Sequence, residues 1–499
     1  MIALKIDPVH WIRIRIGRPL YHMAITLISH GAAGTVTGSK HLLEITDRKG
    51  EVKRLLLDCG MFQGEGMIAG KGKDPNRHFG FDPRTIDAVL LTHAHIDHSG
   101  LLPRLVAEGF RGKIWSTPAT RDLCAIMLED SARIQESDHE SDRRRAVKKG
   151  RPMAGDGPLY GVDDIKPTME LFYAMDHDET LEILPGIELT LTDTGHILGS
   201  TAINLKIDDG EKVLKLAYTG DVGRYSTRLL PEPVRFPQAD VILCECTYGD
   251  RDHGTVTEAE LELLDHVKNV CVERRGRLII PAFSIGKTQE MLYTLNALSN
   301  AGNLPRLPVY VDSPLAIGAT EIVRQYSKLF RETVREELHH DPDLFSFPGV
   351  EFIRAADRSK QLNENNDPCI IISASGMMEA GRVRHHLYHS LANEANAVLI
   401  IGFCPPGTLG GQLLAGASEV DLFGDTVPVK AEILKMDHYS AHADRTELIR
   451  YLNCQETGKV EKLILVHGIA SAATSFQEMC LVHGFKEVAI AKKGEVIEL

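Results

Sequence analysis

The sequence lacks a disulfide framework. Its nine cysteines are scattered over 499 residues, and the closest pair, Cys244 and Cys246, flanks Glu245. In an extended strand these two thiols share one face and point away from Glu245. No C-x-x-C zinc pattern is present, and scattered free thiols fit a reducing cytosol, so a cytoplasmic location is the expectation. No apolar run is long enough to span a bilayer, and no membrane partner is expected. A signal-peptide pattern is also missing: Trp11 to Ile16 alternates apolar with basic residues and reads as an edge strand or a loose tail. Repeats of solenoid length are absent. Basic charge is in deficit, 56 Lys and Arg against 69 Asp and Glu, for a net charge of −13. That excludes a broad basic surface as the main means of holding nucleic acid. It does not exclude a nuclease whose positive charge is carried by bound metal.

What is present is a soluble globular composition, 43% hydrophobic and 25% charged, in a chain too long for one ordinary core. Short apolar runs end in polar or glycine-rich turns: Leu55–Leu57, Ala88–Leu91, Val241–Leu243, Leu278–Ile280, Pro308–Val311, Ile370–Ile372, Val398–Ile401 and Leu463–Val466. They read as buried strands of α/β layers, with helical stretches such as Thr288–Leu292 between them. Histidine and aspartate motifs lie before about position 250 and again after about 435. The stretch between has strand–helix alternation but few ligand clusters, the pattern of one domain inserted into another. A basic run, Arg143, Arg144, Arg145, Lys148, Lys149 and Arg151, reads as a solvated helix end and loop, with contact to RNA phosphates as the sharper alternative.

The chemistry is concentrated in Thr92-His93-Ala94-His95-Ile96-Asp97-His98-Ser99-Gly100, directly after the strand pattern Ala88–Leu91. Four candidate ligands in six residues cannot face one metal from a regular strand or helix. A tight loop at a strand end can divide them between two adjacent metals, and imidazole with carboxylate suits zinc. Similar placements recur. Asp193-Thr194-Gly195-His196 follows Ile187–Leu191, Thr219-Gly220-Asp221 follows Val213–Ala217, and His467-Gly468 ends the last long strand pattern. Each is a ligand type beside glycine at a strand end, where the backbone can turn toward a site.

This set resembles the metallo-β-lactamase superfamily, and more narrowly the β-CASP ribonucleases, the branch that includes ribonuclease J and the endonuclease of messenger-RNA 3′-end processing. The resemblance extends from about Met23 to the C-terminus. It includes Leu57-Asp58, Glu245-Cys246-Thr247-Tyr248-Gly249, Pro281-Ala282-Phe283-Ser284, Asp312-Ser313-Pro314, Ser375-Gly376-Met377-Met378, Gly407-Thr408-Leu409-Gly410, Ser440-Ala441-His442-Ala443 and His467-Gly468. It implies an α/β fold, an αββα metallo-β-lactamase sandwich with an inserted α/β β-CASP domain. The sandwich would comprise residues 1–248 and 431–499, with the insertion at 249–430. It also implies two zinc ions per chain, one on His93, His95 and His196, the other on Asp97, His98 and His467, with Asp221 bridging. Asp58 matches a carboxylate that orients a ligand histidine, and Glu245 with His442 matches a pair found in the β-CASP branch. Two neighbours depart from the family habit: Cys246 stands where serine is common, and Ile469 where glutamate is common.

The expected activity is hydrolysis of RNA phosphodiester bonds by a two-metal-activated hydroxide, endonucleolytic, 5′-to-3′ exonucleolytic, or both. Asp97 would help deprotonate the water. His442, held in its tautomer by Glu245, would protonate the leaving oxygen. Ser373-Ala374-Ser375-Gly376 and the Pro281–Gly286 segment with Ser284 read as helix starts whose N–H groups could hold RNA phosphate, and Ser440 is a further candidate. RNA is the expected partner, and a homodimer stays open. A hydrolase of small thioesters or lactams would not need the inserted block. A DNA-processing β-CASP enzyme would usually lack the histidine at 467, and a dead scaffold would have lost ligands.

Overall fold

A computed structural model describes residues 24–63, 74–148, 150, 157–208, 211–254, 256–402, 404–436 and 439–499, with the side chains of 256 and 257 left aside. The expectations for Trp11–Ile16, Lys149 and Arg151 lie outside the described residues.

Two seven-stranded sheets face each other. The first runs, in spatial order, 496–498, 24–31, 40–46, 52–57, 88–90, 113–116 and 172–174; the second runs 488–490, 462–466, 241–245, 213–218, 201–208, 187–193 and 180–184. The period of two along a strand sorts the side chains. Leu55, Leu57, Leu90, Leu216, Tyr218, Leu243, Ile464 and Val466 point between the sheets into one core. Their neighbours Leu56, Val89 and Leu91 pack outward under helices on one side, and Ala217, Ile242, Leu463 and Leu465 do so on the other. The C-terminal segment gives strands to both sheets, pairing 496–498 with 24–31 and 462–466 with 241–245. The sandwich therefore cannot close until the whole chain is present.

A third sheet of six parallel strands follows the order 350–352, 309–311, 369–373, 277–281, 397–400 and 432–435. Its strands are buried on both faces, Leu278 and Ile280 on one side and Ile279 on the other, which is why they read as continuous apolar runs. The long helix Pro118–Lys148 joins the two bodies. Leu123, Met127 and Leu128 share a buried cluster with Leu56 and Val89 of the first sheet and with Ala316 and Ile317 of the helix Pro314–Gln325 in the insertion. Arg143, Arg144 and Arg145 lie on its exposed far end, paired with Glu140 and Asp142, as a solvated helix end requires. Among the described residues no helix is long and apolar enough to cross a membrane.

Candidate metal centre

Every candidate ligand sits at the C-terminal end of a strand, on one edge of the sandwich. The strands 52–57 and 88–90 run parallel, as do 213–218, 241–245 and 462–466. Asp58, the His93–His98 loop, Asp221, Glu245 and His467 therefore emerge on the same side. Strand 187–193 is antiparallel to 201–208, which is antiparallel to 213–218, so His196 emerges there too. The loop 93–98 turns sharply into the short helix Ile96–Ser99. Gly60 lets it approach, because a Cβ there would lie 1.5 Å from the Asp97 carbonyl oxygen. Asp58 and His467 hold positive φ angles of 58° and 50°. That conformation costs a non-glycine residue of order 1–3 kcal/mol, and it is retained here where side chains must converge.

The donor atoms form two sets. In one, His95 Nδ1 lies 3.1 Å from His93 Nε2 and 3.2 Å from His196 Nε2. Asp221 Oδ2 is 3.5 Å from both His93 Nε2 and His196 Nε2. In the other, His98 Nε2 lies 3.3 Å from His467 Nε2 and 3.3 Å from Asp221 Oδ1, and Asp97 Oδ2 is 3.5 Å from His467 Nε2. Zinc–ligand bonds of about 2.0–2.1 Å in a tetrahedron place neighbouring donors about 3.3 Å apart. The first set matches the edges of such a tetrahedron; the second is looser, with Asp97 Oδ2 4.0 Å from His98 Nε2, and Asp221 Oδ1 meets it at His98. Asp221 Oδ1 is buried with no hydrogen-bond donor, a position a cation would satisfy.

The second nitrogen of most of these rings is fixed from behind. His98 Nδ1 donates to Asp58 Oδ2 at 2.7 Å, and His196 Nδ1 to the Ala441 carbonyl at 3.2 Å. Thr92 Oγ1 donates to Asp58, so it can accept from His93 Nδ1 at 3.0 Å. Thr247 Oγ1 donates to Glu245 and accepts from His467 Nδ1 at 3.0 Å. These bonds leave Nε2 of His93, His98, His196 and His467 as the lone-pair nitrogens. Burial holds His93 and His196 well below the usual imidazole range and brings His95 down to about 4, so all three rings are neutral donors at pH 7. Burial works against the Asp221 carboxylate, but the histidines around it keep it ionised.

Some supporting residues escaped the sequence reading. Tyr218 donates to Asp58 Oδ2 at 2.8 Å, Ser39 contacts the Tyr218 hydroxyl at 2.9 Å, and His41 bonds Ser39 and Ser29 at 3.2 and 2.9 Å. Burial, with His98 nearby, drives His41 down to about 3, so this chain of bonds is neutral. No local signal marks these residues, since Tyr218 and Asp58 are 160 positions apart.

His442 arrives on the segment that returns from the third sheet, and Ala443 N bonds the Val222 carbonyl at 2.8 Å. His442 Nδ1 faces Glu245 Oε2 at 3.2 Å and Oε1 at 3.3 Å. Glu245, fully buried, also accepts from Val222 N and Thr247 Oγ1, both at 2.5 Å. Asp221, Glu245, His442 and His467 lie close enough to one another to hold a cation as well, so His442 as a ligand is the competing assignment.

The anion-site candidates fall differently. The helix expected after Ser373–Gly376 begins only at Val383, and Ser373 Oγ donates to the Asp312 carbonyl at 2.8 Å. The run of apolar residues marked the strand, but turns intervene, so no helix start faces the site from 373–376. Gly376 instead lies against Phe283, where a Cβ would meet the ring at 2.9 Å. Phe283 stands 6.4 Å from the His95 ring. The helix after Pro281–Gly286 does begin at Lys287, but Gln289 already caps Gly286 N at 2.8 Å. Ser284 contacts Ser313 at 3.2 Å, Ser375 Oγ accepts from Ala380 N at 3.3 Å, and Ser440 Oγ accepts from His442 N at 3.2 Å.

A two-sheet sandwich with histidine and aspartate donors gathered on one edge, and a parallel-sheet domain inserted in it, defines a metallo-β-lactamase-fold hydrolase. Family models agree along the chain: the metallo-β-lactamase superfamily at residues 48–241, the β-CASP domain at 288–413, and the zinc-dependent metallo-hydrolase RNA specificity domain at 426–491. The chain is 34% identical to Ribonuclease TTHA0252 of Thermus thermophilus over 94% of this chain and 99% of that one. It is 31% identical to an RNase J-like protein of Methanocaldococcus jannaschii, over 87% and 90%. It is 32% identical to the transcription termination factor FttA of the same organism, over 85% of this chain and 64% of that one. A crystal structure of a protein of unknown function from Enterococcus faecalis shares the fold, with a TM-score of 0.50 at 12% identity, over 95% of this chain and all of that one. The chain belongs to the β-CASP family of metallo-β-lactamase-fold hydrolases and is a metal-dependent hydrolase.

Proposed function

We propose that this protein is a zinc-dependent ribonuclease with two zinc ions per chain. The observation that carries the reading is the pair of donor sets, His93, His95, His196 and Asp221 beside Asp97, His98 and His467, with Asp221 Oδ1 3.3 Å from His98, in a chain whose C-terminal part matches an RNA specificity domain. His93, His95 and His196 would hold one ion, Asp97, His98 and His467 the other, and Asp221 both. When bound, the ions neutralise phosphate charge and make water acidic enough to attack at neutral pH. The protein's own groups then move the protons. Asp97 accepts one from the attacking water, and His442 gives one to the leaving oxygen. Glu245 fixes the His442 tautomer by receiving Nδ1–H, which leaves Nε2 as the reacting nitrogen. We also place the second crossing between the two bodies after Lys435 rather than at 430, because Glu432–Lys435 is an edge strand of the third sheet.

The test is metal-dependent cleavage of 5′-labelled and internally labelled RNA by the purified protein, which also separates endonucleolytic from 5′-to-3′ action. RNA left intact while a thioester or lactam is turned over would refute the reading.

Two further results are expected. Asp58→Asn removes the carboxylate that receives His98 Nδ1, Tyr218 and Thr92, so zinc affinity should fall roughly 10–100-fold in chelator competition. Unchanged affinity would remove Asp58 from the support of the site. The second concerns pH. Burial lowers the His442 imidazole, but Glu245 and Asp221 outweigh it and hold it at about 8. A proton donor works only while protonated, so turnover should fall as pH rises through the His442 pKa. Zinc on Asp221 draws that pKa downward, which puts the alkaline limb at or below about 8. Glu245→Gln removes a raising charge, so the limb should move to lower pH with zinc retained; a limb that does not move would separate Glu245 from the proton transfer.

A further inference from the structure

The insertion carries an exposed aromatic and basic cluster outside the metal cleft. The hairpin Glu419–Leu422 and Asp425–Pro428 turns through Phe423 and Gly424, whose φ angles are 57° and 94°. Such a two-residue turn favours Asn or Asp at its first position, because a bulky L side chain is strained there. Phe423 occupies that position and remains 43% exposed. Anchoring the hairpin does not require it, since Val420, Leu422 and Val427 are buried beneath.

The ring of Phe423 stacks on His385 at 4.4 Å and 22°, and meets Tyr388 edge-on at 6.0 Å. His385 and Tyr388 lie one turn apart on the helix Val383–Ser390, and His385 is exposed. Burial and the neighbouring His386 push the His385 imidazole down, so it is an uncharged ring at neutral pH. The Arg384 guanidinium stands 5.0 Å from the Phe423 centroid. It has no carboxylate at ion-pair distance among the described residues, and donates to the Glu379 carbonyl at 3.4 Å.

That carbonyl belongs to the loop that also places Gly376 on Phe283, the ring facing His95. On the other side, the carboxyl of Asp138 on the long helix is raised by burial and by Asp142 and lowered by Arg384 and Arg145. Flat rings with an adjacent guanidinium that has no carboxylate at ion-pair distance among the described residues suit a nucleobase and its phosphate, the two components of single-stranded RNA.

We propose that Phe423, His385 and Arg384 form a second RNA contact, where a base stacks and a phosphate is held away from the scissile bond. This rests on the ribonuclease reading of the metal centre. Phe423→Asn removes the ring and keeps a residue the turn prefers, and Arg384→Gln removes the charge. Each is to be compared with wild type on a long single-stranded RNA, on a trinucleotide and on bis(p-nitrophenyl) phosphate, with RNA affinity by anisotropy and mass by light scattering. Phe423→Asn should raise KM and Kd for the long RNA roughly 5- to 100-fold, with kcat, zinc content and both small substrates unchanged. Equal KM for the long RNA in variant and wild type overturns the platform. So does an equal loss on the small substrates, or a change of mass with RNA parameters unchanged, which would mark a protein contact. A wild-type protein that neither binds nor cuts RNA overturns the ribonuclease reading and the platform together. A wild type that cuts RNA beside indistinguishable variants overturns the platform alone.

Discussion

His95→Ala should yield a protein that loses zinc and RNA cleavage together. His95 Nδ1 is the donor between His93 Nε2 and His196 Nε2, 3.1 and 3.2 Å away. Without it the first set keeps two imidazoles and one oxygen of Asp221, and one vertex of the tetrahedron is empty. The second set, on Asp97, His98 and His467, is untouched. Elemental analysis should therefore fall from about two zinc per chain to about one or less, with cleavage at background because the phosphate has lost half of its neutralising charge. The fold should persist, since His95 sits in a loop at the sheet edge and its ring is outside the hydrophobic core. A folded, metal-poor variant that still cuts RNA would overturn the two-metal site.

The second large effect separates chemistry from metal binding. His442→Ala should keep both zinc ions and RNA affinity but lose turnover roughly 10²–10⁴-fold, the usual worth of a positioned acid or base. Seven other residues, Asp221 among them, already supply the donors of the two sets. His442 instead aims Nδ1 at Glu245, whose two oxygens are further occupied by Val222 N and Thr247 Oγ1. A substrate whose leaving group needs no proton, such as a p-nitrophenyl phosphodiester, should be hydrolysed by the variant at closer to the wild-type rate. Loss of one zinc in His442→Ala would assign the residue to the metal instead, as the proximity of Asp221, Glu245, His442 and His467 allows. Normal RNA cleavage would remove it from the reaction altogether.

Backbone bonds fix where His442 stands relative to the donor sets. The backbone N–H of Ala443 bonds the Val222 carbonyl just after Asp221, which holds His442 beside the site. His442 is thereby anchored to the loop after Asp221, where its backbone bridges Gly223. Its ring lies 4.6 Å from that of His196 and 5.8 Å from that of His467.

Much of this molecule is legible in its residues alone. All eight short apolar runs are strands, because burial on two faces leaves no polar position to interrupt them. The His93–His98 loop declares metal chemistry because so many donors within six residues have no other economical use. Glycine and positive φ at strand ends are likewise local properties, written where they act. The helix expected at Ser373–Gly376 shows the limit. An apolar strand followed by Ser-x-Ser-Gly is compatible with an immediate helix or with turns; here turns held by Ser375 and Ala380, with Gly376 against Phe283, precede the helix at Val383.

What the tertiary structure alone decided is pairing at a distance. Which oxygen of Asp221 serves which histidines, and which nitrogen of each ring is left free, depends on partners drawn from strands hundreds of residues apart. The Tyr218–Ser39–His41 chain behind Asp58, and the stacking of Phe423 on His385, are of the same kind. Donor types and strand patterns are fixed by local composition and by the period of two. Hydrogen-bond partners and ring contacts are fixed by sheet order and by the return of the chain's end to both sheets, which no local stretch of sequence encodes.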